Sequence, residues 1–334
     1  MTNASHPIKS LNGLLFVAIL ILWGHPADAR QASSPAPIEL SLATQAAPYS
    51  GLVLIAAEKG YFQEAGLEVT LKLYPSGKEA MEAMCQGKAH LATTADIAFA
   101  AKAIAEPSIR VLASIGTTTG SQIIARRDRG IQTPADLRGK KVGFTAHTTS
   151  DYFLFTFLVI ENVSQEEITF VDIPANQQVA ALESGAVDAV SAFEIFAFEA
   201  KKRLGGNAVH WDIQNNLAFH WLLTTKVDFL DRPEPFRRLF EALIKAEHFV
   251  RANDEETRNI ISRQWGFGTE FLQESWPKTR LSITFGQSIV TSLRSYMGWH
   301  LRKTGDPMAP PEVLNYLHTG ILDDVAPKTV TIFR

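Results

Sequence analysis

The feature that most constrains this chain is its rhythm. From Ile38 onward, short stretches with apolar residues at every second position alternate with stretches of helical character. Residues 38–42 (IELSL) and 67–73 (LEVTLKL) alternate apolar and polar side chains, the pattern of a half-buried strand. Residues 51–59 between them suit a helix stopped by Gly60, and residues 78–86 suit another ended by Gly87. A short apolar stretch at 90–92 leads to a helix through Ala103, capped by Thr94 or Asp96, and residues 109–115 read as a further strand. The rhythm then repeats. Strands are predicted at 122–125, 141–144, 168–171 and 187–191, and helices at 150–160, 176–184 and 194–204. Such alternation predicts the α/β class, with helices packed on the faces of mainly parallel sheets. Beyond Pro233 the signals are helical, and Phe236, Leu239, Phe240, Leu243, Ile244 and Phe249 form a core-facing stripe over 235–252.

Composition narrows the partners. The 334 residues are 46% hydrophobic and 20% charged, and 32 basic against 35 acidic residues give a net charge of −3. No basic surplus points to nucleic acid or an anionic membrane. The single cysteine, Cys85, excludes an intramolecular disulfide and argues against a cysteine zinc site. It reads as a small thiol on a helix. The start of the chain is different. Lys9 precedes an apolar run over 11–23, and Ala27-Asp28-Ala29 follows it. A basic segment, a short apolar segment and an A-x-A site make a secretory signal peptide over 1–29, cleaved after Ala29. The run is shorter than the roughly 20 residues of a membrane-spanning helix, which makes an uncleaved anchor the lesser reading. No cysteine lies near the cleavage site, which argues against a lipoprotein. Loss of Lys9 and Asp28 leaves the charge unchanged.

Four segments, in order, carry a resemblance: 57–69 (AEKGYFQEAGLEV), 87–92 (GKAHLA), 133–143 (TPADLRGKKVG) and 181–190 (ALESGAVDAV). Together they resemble the nitrate/sulfonate/taurine and thiamine-precursor type of periplasmic substrate-binding protein of ABC transporters. The resemblance spans about residues 38–194 and thins toward the C-terminal helices. It implies a two-lobe periplasmic binding protein fold of type II, each lobe a sheet flanked by helices. Lobe 1 would comprise 38–124 plus 222–334 and lobe 2 residues 125–221, with hinge crossings at 122–125 and 221–225. It also implies a monomer that captures a small-molecule ligand and delivers it to an ABC permease, with no cofactor, metal or catalysis.

In an open α/β sheet, ligands lie beyond the carboxyl ends of the strands, where helix N-termini present free N–H groups. Five loops fit that position: 43–49, 93–96, 117–120, 145–150 and 192–194. They supply Gln45, Tyr49, Thr93, Thr94, Asp96, Thr118, His147, Thr148, Thr149, Phe193 and Glu194 as candidate ligand contacts, joined by Trp221 at the return crossing. Thr94, Thr148 and Glu194 rank first. For each hydroxyl, plain helix capping is the competing reading. Asp96, Asp151 and Glu194 near the cleft favour an amine- or ring-containing ligand over a bare inorganic anion, with the aromatic residues stacking on it; a sulfonate-like ligand stays open. Lys78 and His147 are the nearby basic candidates.

No G-x-S-x-G, H-E-x-x-H or Walker A pattern is present. His210 and His220 read as packing rather than metal ligands, Asp188 as structural, and Asp254–Glu256 as a solvated turn or helix start. Two alternatives remain. The pyrimidine synthases of thiamine biosynthesis share this resemblance but carry a cysteine-rich motif and act in the cytoplasm. A ligand sensor without a transporter would keep the same clamshell.

Overall fold

The rhythm that starts at Ile38 becomes two sheets, one inserted into the other. The computed structural model describes residues 36–214 and 217–333. The expected signal peptide and its cleavage site lie outside the described residues. The first run contains β1 (Ile38–Gln45), α1 (Gly51–Glu58), α2 (Tyr61–Glu64), β2 (Leu67–Tyr74), α3 (Gly77–Cys85), β3 (Leu91–Ala95), α4 (Asp96–Ala105) and β4 (Ile109–Thr118). The second contains β5 (Gln122–Arg126), β6 (Lys141–Phe144), α5 (Thr149–Ile160), β7 (Thr169–Asp172), α6 (Gln178–Ser184), β8 (Ala189–Ala192), α7 (Glu194–Leu204) and β9 (Ala208–Asp212). The chain then returns through β10 (Phe219–Lys226), α8 (Glu234–Ala252), α9 (Asp254–Trp265), α10 (Thr269–Ser275), β11 (Thr279–Arg280), α11 (Gln287–Thr304) and α12 (Gly320–Val325).

Strand order is β11-β4-β10-β3-β1-β2 in the first sheet and β7-β6-β8-β5-β9 in the second. In the first, β1 runs parallel to β2 and β3, while β10 is antiparallel to β3 and β4. In the second, β6 runs parallel to β7 and β8, while β5 is antiparallel to β8 and β9. Each sheet is thus a parallel α/β unit with an antiparallel strand wedged into it next to the point of crossing. The two passages between sheets are bonded together. Ser121 N donates to Gln214 Oε1 at 2.8 Å, and Gln214 Nε2 donates to Thr118 O at 3.1 Å.

Sheet membership differs at the edges from the expected crossings. All of β5 belongs to the five-stranded sheet and all of β10, Trp221 included, to the six-stranded one. The passage out therefore lies just before Gln122, and the passage back ends before Phe219. Two strands also run further than their apolar signals. β3 extends to Ala95 because β10 pairs with it, Thr93 opposite Leu223 and Thr94 opposite Leu222. β4 extends to Thr118, opposite Phe219. Thr93, Thr94 and Thr118 are consequently strand residues, and the N-cap of α4 is Ala95 rather than Thr94 or Asp96.

The helical stripe behaves as expected. Phe236, Leu239, Phe240 and Leu243 of α8 are buried, while Ile244 and Phe249 are half-buried. At α3, Ser76 accepts from Glu79 N at 3.3 Å, a side-chain N-cap. Among the described residues no helix is long and apolar enough to cross a membrane. Phe240 is fully buried, whereas Val159 on α5 is 70% exposed. Phe240→Ala is therefore expected to cost about 3–5 kcal/mol in urea unfolding through cavity formation, and Val159→Ala to stay within about 0.5 kcal/mol.

Candidate functional site

Both sheets bring the carboxyl ends of their parallel strands to one small cavity. Gln45 and Tyr49 reach it after β1, Ser76, Gly77 and Lys78 after β2, and Ala95 and Ala98 after β3. Thr148 and Thr149 reach it after β6 and Phe193 after β8, with Phe219 and Trp221 from β10. The open space is about 20 Å³, enough for about one water. A second pocket of about 190 Å³ adjoins it, sharing Lys78 and Ala98 and adding Met81, Glu82, Ala101, Lys102, His147 and His300.

Four helices begin at the inner cavity: α3 at Gly77, α4 at Asp96, α5 at Thr149 and α7 at Glu194. Each first turn leaves N–H groups without an intrahelical acceptor and carries a partial positive charge. Lys78 adds a full one, and its Nζ donates to Ala146 O at 3.0 Å, which ties α3 to the loop after β6. The apolar wall is a cluster of rings. Tyr49 meets Trp221 edge-on at 4.7 Å and Phe219 at 5.4 Å. The Tyr49 hydroxyl donates to Gln45 Oε1 at 3.3 Å, and burial pushes its pKa well up. Trp221 Nε1 and Thr94 Oγ1 are buried donors without a partner among the described residues. Gly77 is required by space: a Cβ there would sit 2.4 Å from the Trp221 ring and 2.9 Å from Thr94 Cα.

Of the twelve candidates, Gln45, Tyr49, Thr148, Thr149, Phe193 and Trp221 line the inner cavity, and His147 lines the adjoining pocket. The other five line neither. Thr93 hydrogen-bonds Thr44 at 2.6 Å inside the sheet, and Thr94 stands in β3. Asp96 accepts from Ile97 N at 2.9 Å and from His220 N at 3.1 Å, fastening α4 to β10. Thr118 donates to Glu194 Oε1 at 2.5 Å. Glu194 is thereby a clasp between α7 and the crossing, and burial pushes its carboxyl up despite that bond. The clasp needs a glycine at 120, where a Cβ would lie 2.0 Å from Glu194 Cγ. Two of the three carboxylates that favoured an amine ligand, Asp96 and Glu194, are thus committed to the scaffold. Thr148 does not cap α5 with its side chain; its hydroxyl donates to Thr145 O at 2.7 Å. Ser76, Gly77 and Phe219 are not among the candidates read from the sequence, although the rule that selected the other loops also covers Ser76 and Gly77.

Residues 47–257 match the NMT1/THI5-like family model. The chain belongs to that family. A binding protein of Brucella abortus is 22% identical over 218 residues, covering 64% of this chain and 67% of that one. The alkanesulfonate-binding protein SsuA of Xanthomonas axonopodis pv. citri, solved with MOPS bound, is similar in structure with a TM-score of 0.72 at 16% identity, covering 86% of this chain and 100% of that one. The desulfurization enzyme DSZB in complex with biphenyl-2-sulfinic acid gives a TM-score of 0.67 at 18% identity, covering 87% and 99%. The fold is that of the periplasmic binding proteins. On this fold Cys85 ends α3, half-buried, with its thiol pushed up by burial, and lines neither pocket. Among the described residues no group of three or more His, Cys, Asp or Glu could hold a metal ion.

Asp96 and His220, joined through the His220 amide, titrate in opposite senses. Burial pushes the Asp96 carboxyl up to about 7 and the His220 imidazole down to about 4. A carboxyl raised by folding contributes fully below its unfolded value near 4, and that contribution is lost as pH rises through 7. An imidazole lowered by folding contributes fully above its unfolded value near 6.5, and that contribution is lost as pH falls through 4. Between about pH 4 and 6.5 the two slopes oppose. Asp96→Asn removes only the first. Calorimetric unfolding from pH 4 to 8 is expected to show the variant gaining on the wild type by about 1.4 kcal/mol per pH unit up to pH 7. A gap independent of pH would show that folding does not raise the Asp96 carboxyl.

Proposed function

We propose that the protein is the substrate-binding component of an ABC importer and captures a small organic anion between two lobes built on the two sheets. The observation that carries this reading is the convergence of four helix N-termini and Lys78 on a cavity lined by no carboxylate. Such a cavity favours one compact negative group, a sulfonate or carboxylate. Tyr49, Phe193, Phe219 and Trp221 would cover an apolar or ring-shaped body. The unpartnered Trp221 Nε1 and Thr94 Oγ1 leave donors for the ligand's oxygens once the cleft rearranges. The sulfonate-binding likeness of SsuA supports the same class.

The inner cavity has room for about one water. Capture therefore requires the lobes to separate and close again, and ligand contacting both lobes shifts that equilibrium toward the closed form. The protein in this reading works in the periplasm as a monomer, after cleavage behind Ala29, and hands its ligand to a membrane permease. It performs no catalysis. The half-buried Cys85, which lines neither pocket, supports a binding role over a cysteine-dependent enzyme.

Titration calorimetry against alkyl and aryl sulfonates, the matching carboxylates and the matching amines tests the reading. Anions are expected to bind and amines to fail. Lys78→Met is expected to weaken the anions by about 10- to 100-fold, the scale of one charged hydrogen bond. Gly77→Ala is expected to abolish binding by driving a methyl group into Trp221. Binding of the amines alone would overturn the ligand class.

A further inference from the structure

One link between the two sheet units away from the cavity comes from the far end of the chain. Helix α11 packs on α4 of the first unit, and its last turns reach α5 of the second. There Tyr152 meets Tyr296 and Trp299 edge-on, with ring centres 4.7 and 5.2 Å apart. Lys303 of α11 pairs with Asp151 of α5. Its ammonium also lies over the rings of Phe155 at 4.3 Å, Trp299 at 5.0 Å and Phe144 at 5.2 Å. Asp151 is fully buried, so its charge has little water to share.

The second oxygen of Asp151 leads to the cavity. Asp151 Oδ2 accepts from His147 N at 2.9 Å. His147 holds a φ of 62°, a left-handed conformation that non-glycine residues rarely adopt without support. The next two residues, Thr148 and Thr149, line the cavity and open α5. One buried carboxylate thus joins the end of α11 to the turn that aims the α5 N-terminus. Lys78 grips the same loop from α3 through Ala146 O.

We propose that Lys303 is a positioning residue of the cavity. Paired with Asp151, it holds the left-handed turn at His147 and with it Thr148 and the first amides of α5. Because Lys303 comes from the first unit and Asp151 from the second, the pair forms only when the units are together. Lys303 therefore couples the shape of the ligand loop to closure, although it touches no ligand itself. The name of the cavity rests on the proposed function; the coupling does not.

Hydrogen exchange on the ligand-free chain tests it, so failure here leaves the ligand class untouched. Lys303→Met is expected to speed amide exchange across 145–150 by about tenfold or more, with strands 38–45 and 67–74 unchanged as internal reference. Lys303→Arg, which keeps the charge, is expected to restore slow exchange. Small-angle scattering is expected to show a larger radius of gyration for Lys303→Met than for wild type. The double variant Asp151→Asn/Lys303→Met leaves no unpaired buried charge. It carries the same test if the single variant does not fold, and it should exchange as fast at 145–150. Unchanged exchange there in both variants, an equal rise in the reference strands, or no rescue by arginine would each overturn the proposal.

Discussion

The structure depends on the way the chain passes twice between its sheets. Each passage is short, and the two are bonded to each other through Gln214, which receives the Ser121 amide and donates to Thr118 O. The strands beside them, β5 and β10, run antiparallel to their neighbours and bring the second unit back to where the first left off. Parallel strands of both sheets then end on the same side, and the loops beyond them can meet. The Glu194–Thr118 bond and the bare Gly120 tighten this junction, since no side chain at 120 could coexist with the glutamate in its place. A ligand site between two sheets follows from that arrangement before any side chain in it is chosen.

The choice of side chains then sets the sign of the field. A net charge of −3 spread over 334 residues says nothing about one cavity. What matters is where the acids near it are spent. Asp96 holds α4 to β10, Glu194 holds α7 to the crossing, and Asp151 holds His147 and Lys303. Each is buried, and each is bound to donors of the scaffold. The helix N-termini are left facing the open space, where they favour negative charge. Acidic residues beside a cleft therefore do not, in isolation, set the sign of the charge that the cleft favours.

The sheets were legible because alternation and helix stops are local signals. So were Gln45, Tyr49, Thr148, Thr149 and Phe193, since each follows directly on a strand that its own residues announce. Thr93, Thr94 and Thr118 were misplaced because their strands are lengthened by β10, whose partners lie more than a hundred residues earlier in the chain. No window of sequence contains that pairing. The roles of Asp96 and Glu194 were hidden for the same reason: their donors, His220 and Thr118, are 124 and 76 residues away. The distance between Asp151 and Lys303 is longer still, at 152 residues, and no periodicity connects them.

That distance bears on what family membership can carry. The match covers 47–257, which includes the parallel strands of both sheets except β1, all four helix starts and β10. Helix α11 lies beyond it. The inner cavity belongs to the matched segment, because every residue lining it except Gln45 falls inside 47–257. The outer pocket draws His300 from α11, and the seam draws Tyr296, Trp299 and Lys303. The proposed coupling of Lys303 to the cavity therefore rests on aromatic and ionic contacts from α11, outside the matched segment, whereas the cavity itself is built almost wholly within it.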